Sequence, residues 1–342
     1  MTPRERMLAA LRGEPADKIV WQPRLHHWYE VNRKRGTLPP RYQGWDILDI
    51  YDDLMATPRS YHYFGDAVKS IESDDVEVWT RRTTDTLAVR YVTPVGELHE
   101  WSRITEWGTS SMHREYPVKD VKDFKVLTYI LQNQRFEFDP SLYEYARKRI
   151  GDRAPSIAGI PHVPVMRLFI WYMGYERGII ALWKHPKEVQ ELLQVMEEND
   201  DKRLVALKAS PIEVINFGDN IHHDLSTPPI FRKYILPYYQ RRTQELHDAG
   251  KLCTSHWDGR VKKLLPFMKE TGLDAIECLT TQPQGDVTFE ELREAMKTVT
   301  LMDGMPATYF LPATSATEVA ACARKALELF SPRLVLGVGD MV

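Results

Sequence analysis

The sequence predicts a distorted TIM-type (β/α)8 barrel that carries an antiparallel β insertion, and three observations lead there. Beyond residue 120 short apolar runs alternate with capped helical stretches, the rhythm of a parallel sheet wrapped by helices. Four consecutive runs end in a histidine or an acid: His256 and Asp258, Glu277, Asp303, and Asp340. An α/β barrel keeps its chemistry at such strand ends, and core packing alone does not require the pattern. Residues 74–113 instead alternate with period two, the mark of antiparallel strands.

In chain order, Thr2 is expected to cap a first helix with Pro3 at its first position; Met7, Leu8 and Leu11 share one face, and Gly13 ends it. Residues 18–22 read as the first barrel strand. Arg24, His26, His27, Trp28 and Tyr29 follow directly, an expected substrate-facing element. The insertion at 74–113 is expected to form a lid or an interface. Residues 156–160 form a buried strand ending in Pro161 and His162, and Trp171, Tyr172 and Tyr175 are candidates for an aromatic pocket. The strand at 214–217 runs into Gly218, Asp219 and Asn220. A long helix from Pro228 towards Ala249 contains Pro237, which predicts a kink or break. Thr288 with Glu291 and Ser315 with Glu318 have the spacing of capping boxes. Strands near residues 20, 158, 215, 254, 276, 301 and 336 make seven, one short of a closed barrel. Either another strand lies between 55 and 72, or closure is irregular.

A chain of 342 residues suits one large barrel domain spanning 1–342, with 43% hydrophobic and 27% charged residues as in globular proteins. A net charge of -3 without a basic cluster argues against nucleic acid as a partner. Without a signal peptide or membrane-length apolar run, the expected location is cytoplasmic. Three scattered cysteines, Cys253, Cys278 and Cys322, exclude a disulfide framework and a thiolate-rich zinc site. If Glu277 faces the barrel mouth, strand alternation turns Cys278 towards the helices, and Cys253 lies opposite His256; all three thiols are expected to be structural.

The opening Thr2-Pro3-Arg4-Glu5-Arg6-Met7-Leu8-Ala9-Ala10-Leu11, the Gly218-Asp219-Asn220 turn, the His256-Trp257-Asp258-Gly259 segment and the closing Gly337-Val338-Gly339-Asp340 together resemble the uroporphyrinogen decarboxylase superfamily, its methyltransferase branch more than its decarboxylase branch. In the zinc methyltransferases of that superfamily and the related cobalamin-independent methionine synthases, a His-x-Cys pair, a later cysteine and in some members a glutamate hold the metal. Carried over, the resemblance implies His256, Asp258, Glu277 and Asp340 as ligands, with carboxylates in both thiolate positions. Such a harder ion suits an oxygen ligand, so the expected reaction is methyl transfer from a small O-methyl compound, with zinc as Lewis acid. Asp219 and Asn220 are expected to orient substrate or the ligand histidine.

The expected partners are a small-molecule methyl donor and a separate corrinoid protein carrying cobalamin, with a homodimer as the oligomeric option. A metal-free pocket in which His256 and Asp258 do acid–base work is the competing reading. A decarboxylase-like lyase, or a non-catalytic relative that binds a small molecule or a corrinoid protein, are the alternative functions. Porphyrinogen decarboxylation is not expected, since Arg24 stands alone after the first strand and Arg33 and Arg35 lie farther on.

Overall fold

A computed structural model describes residues 1–105, 108 and 110–339 of the chain. Local signals set its helix ends. Thr2 opens Pro3–Arg12 through a reciprocal capping box with Glu5, and Gly13 closes it at φ 73°. Thr288 and Ser315 open Phe289–Met296 and Ala316–Phe330 in the same way. The stretch expected to kink at Pro237 divides into Pro228–Ile230, a π turn Phe231–Ile235, and Leu236–Asp248 with the proline in its first turn. The wider turn accommodates the ring and the missing N–H.

In chain order the strands are β1 (Val20–Trp21), β2 (Val68–Ile71), β3 (Glu77–Arg82), β4 (Thr86–Thr93), β5 (Gly96–Ile104), β6 (Ser111–Glu115), β7 (Arg135–Phe138), β8 (Ile157–Ile160), β9 (Val214–Ile221), β10 (Leu252–Trp257), β11 (Ala275–Thr280), β12 (Thr300–Met305) and β13 (Leu334–Val338). One parallel sheet runs β1-β13-β12-β11-β10-β9-β8. Because β13 returns to pair with β1, the sheet curls into the distorted barrel that the strand–helix rhythm predicts.

Closure is irregular. Residues 56–60 are buried between the sheet edges: the Thr57 N–H donates to the Trp21 carbonyl at 2.7 Å, and the Ser60 hydroxyl to the Pro155 carbonyl at 2.6 Å. Pro58 has no N–H to give to a ladder, so this stretch fills the eighth position without becoming a strand. At the other end of the strands, Met7, Leu8, Ala10 and Leu11 of the first helix pack against Val20, Ile157, Val214, Ala275 and Val335. That apolar plug closes the amino end of the barrel and leaves its carboxyl end for chemistry.

The chain forms two compact units. The barrel belongs to the first, Met1–Ala67, Pro140–Ile160 and Pro211–Val342; the second comprises Val68–Asp139 and Pro161–Ser210. In the second unit β2 pairs antiparallel with β7, and the period-two stretch forms the antiparallel sheet β3-β4-β5-β6. Among the described residues no helix is long and apolar enough to cross a membrane.

Candidate active site

Parallel register sets His256 of β10 beside Glu277 of β11. The His256 Nδ1 lies 3.1 Å from Glu277 Oε1, and the Asn216 amide on β9 donates to that oxygen at 3.4 Å and to Thr254 Oγ1 at 2.9 Å. Arg59, from the irregular closing segment, binds the other oxygen of Glu277 through Nη1 and Asp303 Oδ1 through Nη2. Asp303 Oδ2 accepts from Arg24 Nη2 at 3.1 Å and from the Cys278 N–H at 2.9 Å. Exposure is 0% for Asp303, 4% for Glu277 and 7% for Arg59. Water screens these ions little, so each depends on its partners. Gly337 makes room for the network, since a Cβ there would stand 2.5 Å from Asp303 Oδ1.

The backbone departs from strand alternation at this point. The β11–β12 register shifts between Ile276 and Leu279, Cys278 has φ 67° and Asp303 has φ 76°. Such a bulge re-aims side chains. Cys278 therefore does not turn to the helices, as alternation predicts: its thiol bonds to the Gly339 carbonyl and stands beside the His256 ring. Cys253 and Cys322 are buried free thiols.

Electrostatics follow from this packing. Burial alone lowers the His256 pKa, but its Cys278 and Glu277 partners outweigh burial and push it up to about 10. Burial alone raises Glu277, but Arg59 and His256 outweigh it and hold the carboxyl well below the usual range. Charged His256, Arg24 and Arg59 thus face two carboxylates, a surplus of positive charge at the carboxyl end of the barrel. His62 stacks on His26 with ring centroids 5.0 Å apart; burial first, with His26 and Arg59 adding, lowers its pKa to about 4 and keeps it neutral.

Of the residues singled out from the sequence, the structure gathers His256, Glu277 and Arg24 and sets His26 against His62. It places Asp219 differently. That residue is fully buried and accepts from Tyr239 at 2.6 Å, while Tyr239 also shares a hydrogen bond with Ser255 at 2.8 Å. Ser255 points opposite to His256 along β10, so Asp219 anchors β9 to the helix Leu236–Asp248. Asn220 is exposed with φ 51°. Tyr29 is buried and donates to the Trp45 carbonyl at 2.8 Å; Trp28 meets Tyr42 edge-on; the His27 Nδ1 is buried without a partner. His162 belongs to the second unit, where it accepts from Trp171 Nε1 at 3.2 Å.

Sequence reasoning missed Arg59, Asn216 and His62 as members of the site. The one available signal for Arg59 was the missing eighth strand, whose window contains this arginine.

The donor set proposed for a metal does not converge. Both oxygens of Glu277 are committed, Oε2 to Arg59 and Oε1 to His256 and Asn216. Asp258 keeps one buried oxygen without a partner, and Asp340 lies outside the described residues. These residues do not fit a divalent ion as arranged, and no chemical step below runs through one. Among the described residues, the ligand atoms that do gather within 4.8 Å of one another belong to His247, Cys253 and Asp274. That group sits at the amino ends of β10 and β11. There Asp274 Oδ2 lies 2.9 Å from His247 Nε2 and accepts the Cys253 N–H at 2.7 Å.

The family model described as uroporphyrinogen decarboxylase (URO-D) matches residues 107–339. No curated protein matches the chain in sequence. Among solved structures, a methyltransferase from Methanosarcina mazei aligns with a TM-score of 0.62 at 15% identity, over 100% of this chain and 94% of that one. At that identity the likeness speaks for the fold.

Proposed function

The chain belongs to the uroporphyrinogen decarboxylase family, and from that premise we propose that it is an enzyme moving a methyl group from a small O-methyl compound to the reduced corrinoid of a separate protein. The observation that carries this reading is His256, held as an imidazolium by its Cys278 and Glu277 partners beside Arg24 and Arg59. Methyl transfer to cob(I)alamin needs help at the leaving oxygen, because the acceptor is already a strong nucleophile. As the new carbon–cobalt bond forms, the C–O bond breaks and its electron pair stays on oxygen. A proton from the His256 imidazolium then neutralises that oxygen. An acid near pKa 10 matches a phenolic leaving group, whose pKa is also about 10, so aryl methyl ethers are the favoured donors. Arg24, His26, His27 and Trp28 line the approach to the acid in this reading.

A second reading has its own support. Arg24 and Arg59 converge although they are distant in sequence, and a guanidinium pair suits a substrate carboxylate. In a carboxy-lyase the same imidazolium would protonate the carbanion left after CO2 departs. Absorption spectra separate the two. With a reduced corrinoid protein and aryl methyl ethers, cob(I)alamin is expected to convert to methylcobalamin; a broad donor panel without conversion, together with CO2 release from an acid, would reject methyl transfer.

Zinc belongs, on this reading, to the group at the amino end of the barrel. Zinc titrated into chelator-treated protein is expected to bind less tightly after Cys253→Ser and unchanged after His256→Ala, as followed by calorimetry. The reverse order would return the metal to His256.

A further inference from the structure

We propose that the second unit has a binding site of its own, a cavity that takes a small organic cation with an apolar body. The cavity measures about 330 Å³ and lies wholly within that unit, among β4, β5, the β2–β7 ribbon and the helices Phe124–Asn133 and Pro186–Ala209. Its size falls at the lower end of small-molecule sites.

Two glutamates supply its polar walls. Glu72, next after β2, accepts from the Gln134 amide at 2.6 Å through Oε1, and Gln134 is held in turn by Asn199 at 3.2 Å. The other oxygen of Glu72 is buried without a hydrogen-bond partner. A buried carboxylate oxygen left in that state calls for a donor. Glu100 on β5 accepts from the Tyr91 hydroxyl at 3.4 Å. Glu72, Tyr91, Glu100 and Tyr172 all line this cavity, and the two phenols, raised first by burial, are raised further by Glu100 and Glu72.

Charge decides the class of ligand. Asp200 pairs with Arg167 at 2.6 Å and also favours the charged form of Arg203, whose guanidinium lies 5.4 Å over the Phe136 ring. Two guanidiniums therefore stand against three acidic side chains among the described residues, of which Glu100 is raised by burial and drawn back by the Tyr91 hydroxyl and by Lys119. His113, 3.5 Å from Glu100, does not make up the difference, because burial lowers its pKa. Lys119 bonds to Glu115 at 3.2 Å and to the His99 carbonyl. An ammonium group between the two glutamates completes the balance, and Tyr91, Trp171 and Tyr172 line the same cavity as aromatic partners for the cation and its apolar body.

Calorimetric titration of the full chain with 2-phenylethylammonium, 2-phenylethanol and 3-phenylpropanoate tests the site. The amine is expected to bind saturably at one site, about tenfold or more tighter than the alcohol, with no binding of the acid. Glu72→Gln and, separately, Glu100→Gln should each weaken the amine about tenfold, while His256→Gln leaves its affinity unchanged. The proposal is overturned if none of the probes saturates, if the alcohol or the acid binds as tightly as the amine, if both glutamine variants bind the amine like the parent, or if His256→Gln abolishes its binding.

Discussion

Arg59→Met is expected to destabilise the protein by about 3–5 kcal/mol, because it strips one buried cation from two buried carboxylates at once. Methionine preserves much of the volume, so the loss reports charge rather than a cavity. As hydrogen-bond partners among the described residues, Glu277 would keep His256 and Asn216, and Asp303 would keep Arg24 and the Cys278 N–H. Urea denaturation compared between parent and variant measures the effect. Added salt should change it little, since the pair is shielded from solvent. Arg59→Lys is expected to recover only part of the stability, because one ammonium cannot present the two arms that reach Glu277 and Asp303 separately. A loss below about 1 kcal/mol for Arg59→Met would mean that the network contributes no more than a surface ion pair.

His256→Gln is expected to lower kcat by about 10²–10⁴-fold with a much smaller change in KM, the signature of a proton donated only as the bond breaks. The alkaline limb of the parent's kcat profile should fall near pH 10, where an unperturbed histidine would already lose its proton near 6.5. Stability carries the same signature. A histidine raised in the folded state stabilises fully below its unfolded pKa of 6.5 and loses that contribution as pH rises through about 10. Glu277 is lowered in the folded state, so it stabilises above its unfolded value of 4.5 and loses that contribution as pH falls. The stability gap between parent and His256→Gln should therefore be widest between about pH 4.5 and 6.5 and narrow towards pH 10. A gap independent of pH across that range would remove the charged His256–Glu277 pair.

The strand–helix rhythm was legible because its signals are local. Thr2 with Glu5, Thr288 with Glu291 and Ser315 with Glu318 each close a cap within a single turn, and apolar runs mark the strands between them. His256 and Glu277 were legible for a related reason: successive parallel strands lie side by side, so residues at their carboxyl ends become neighbours. Cys278 was misread because alternation assumes an unbroken ladder, and no glycine announces the left-handed turn at that residue.

Arg59 was beyond reach for a different reason. It lies on an aperiodic stretch beside Pro58, 218 residues from Glu277 and 244 from Asp303. Only closure of the sheet brings it between them, and with both carboxylates then occupied, side chains that read as metal ligands from their order along the chain become one buried network of charge. The sequence by itself determined which strand ends would meet; the tertiary structure decided what those ends hold, because a buried carboxylate takes whatever cation the closing segment delivers.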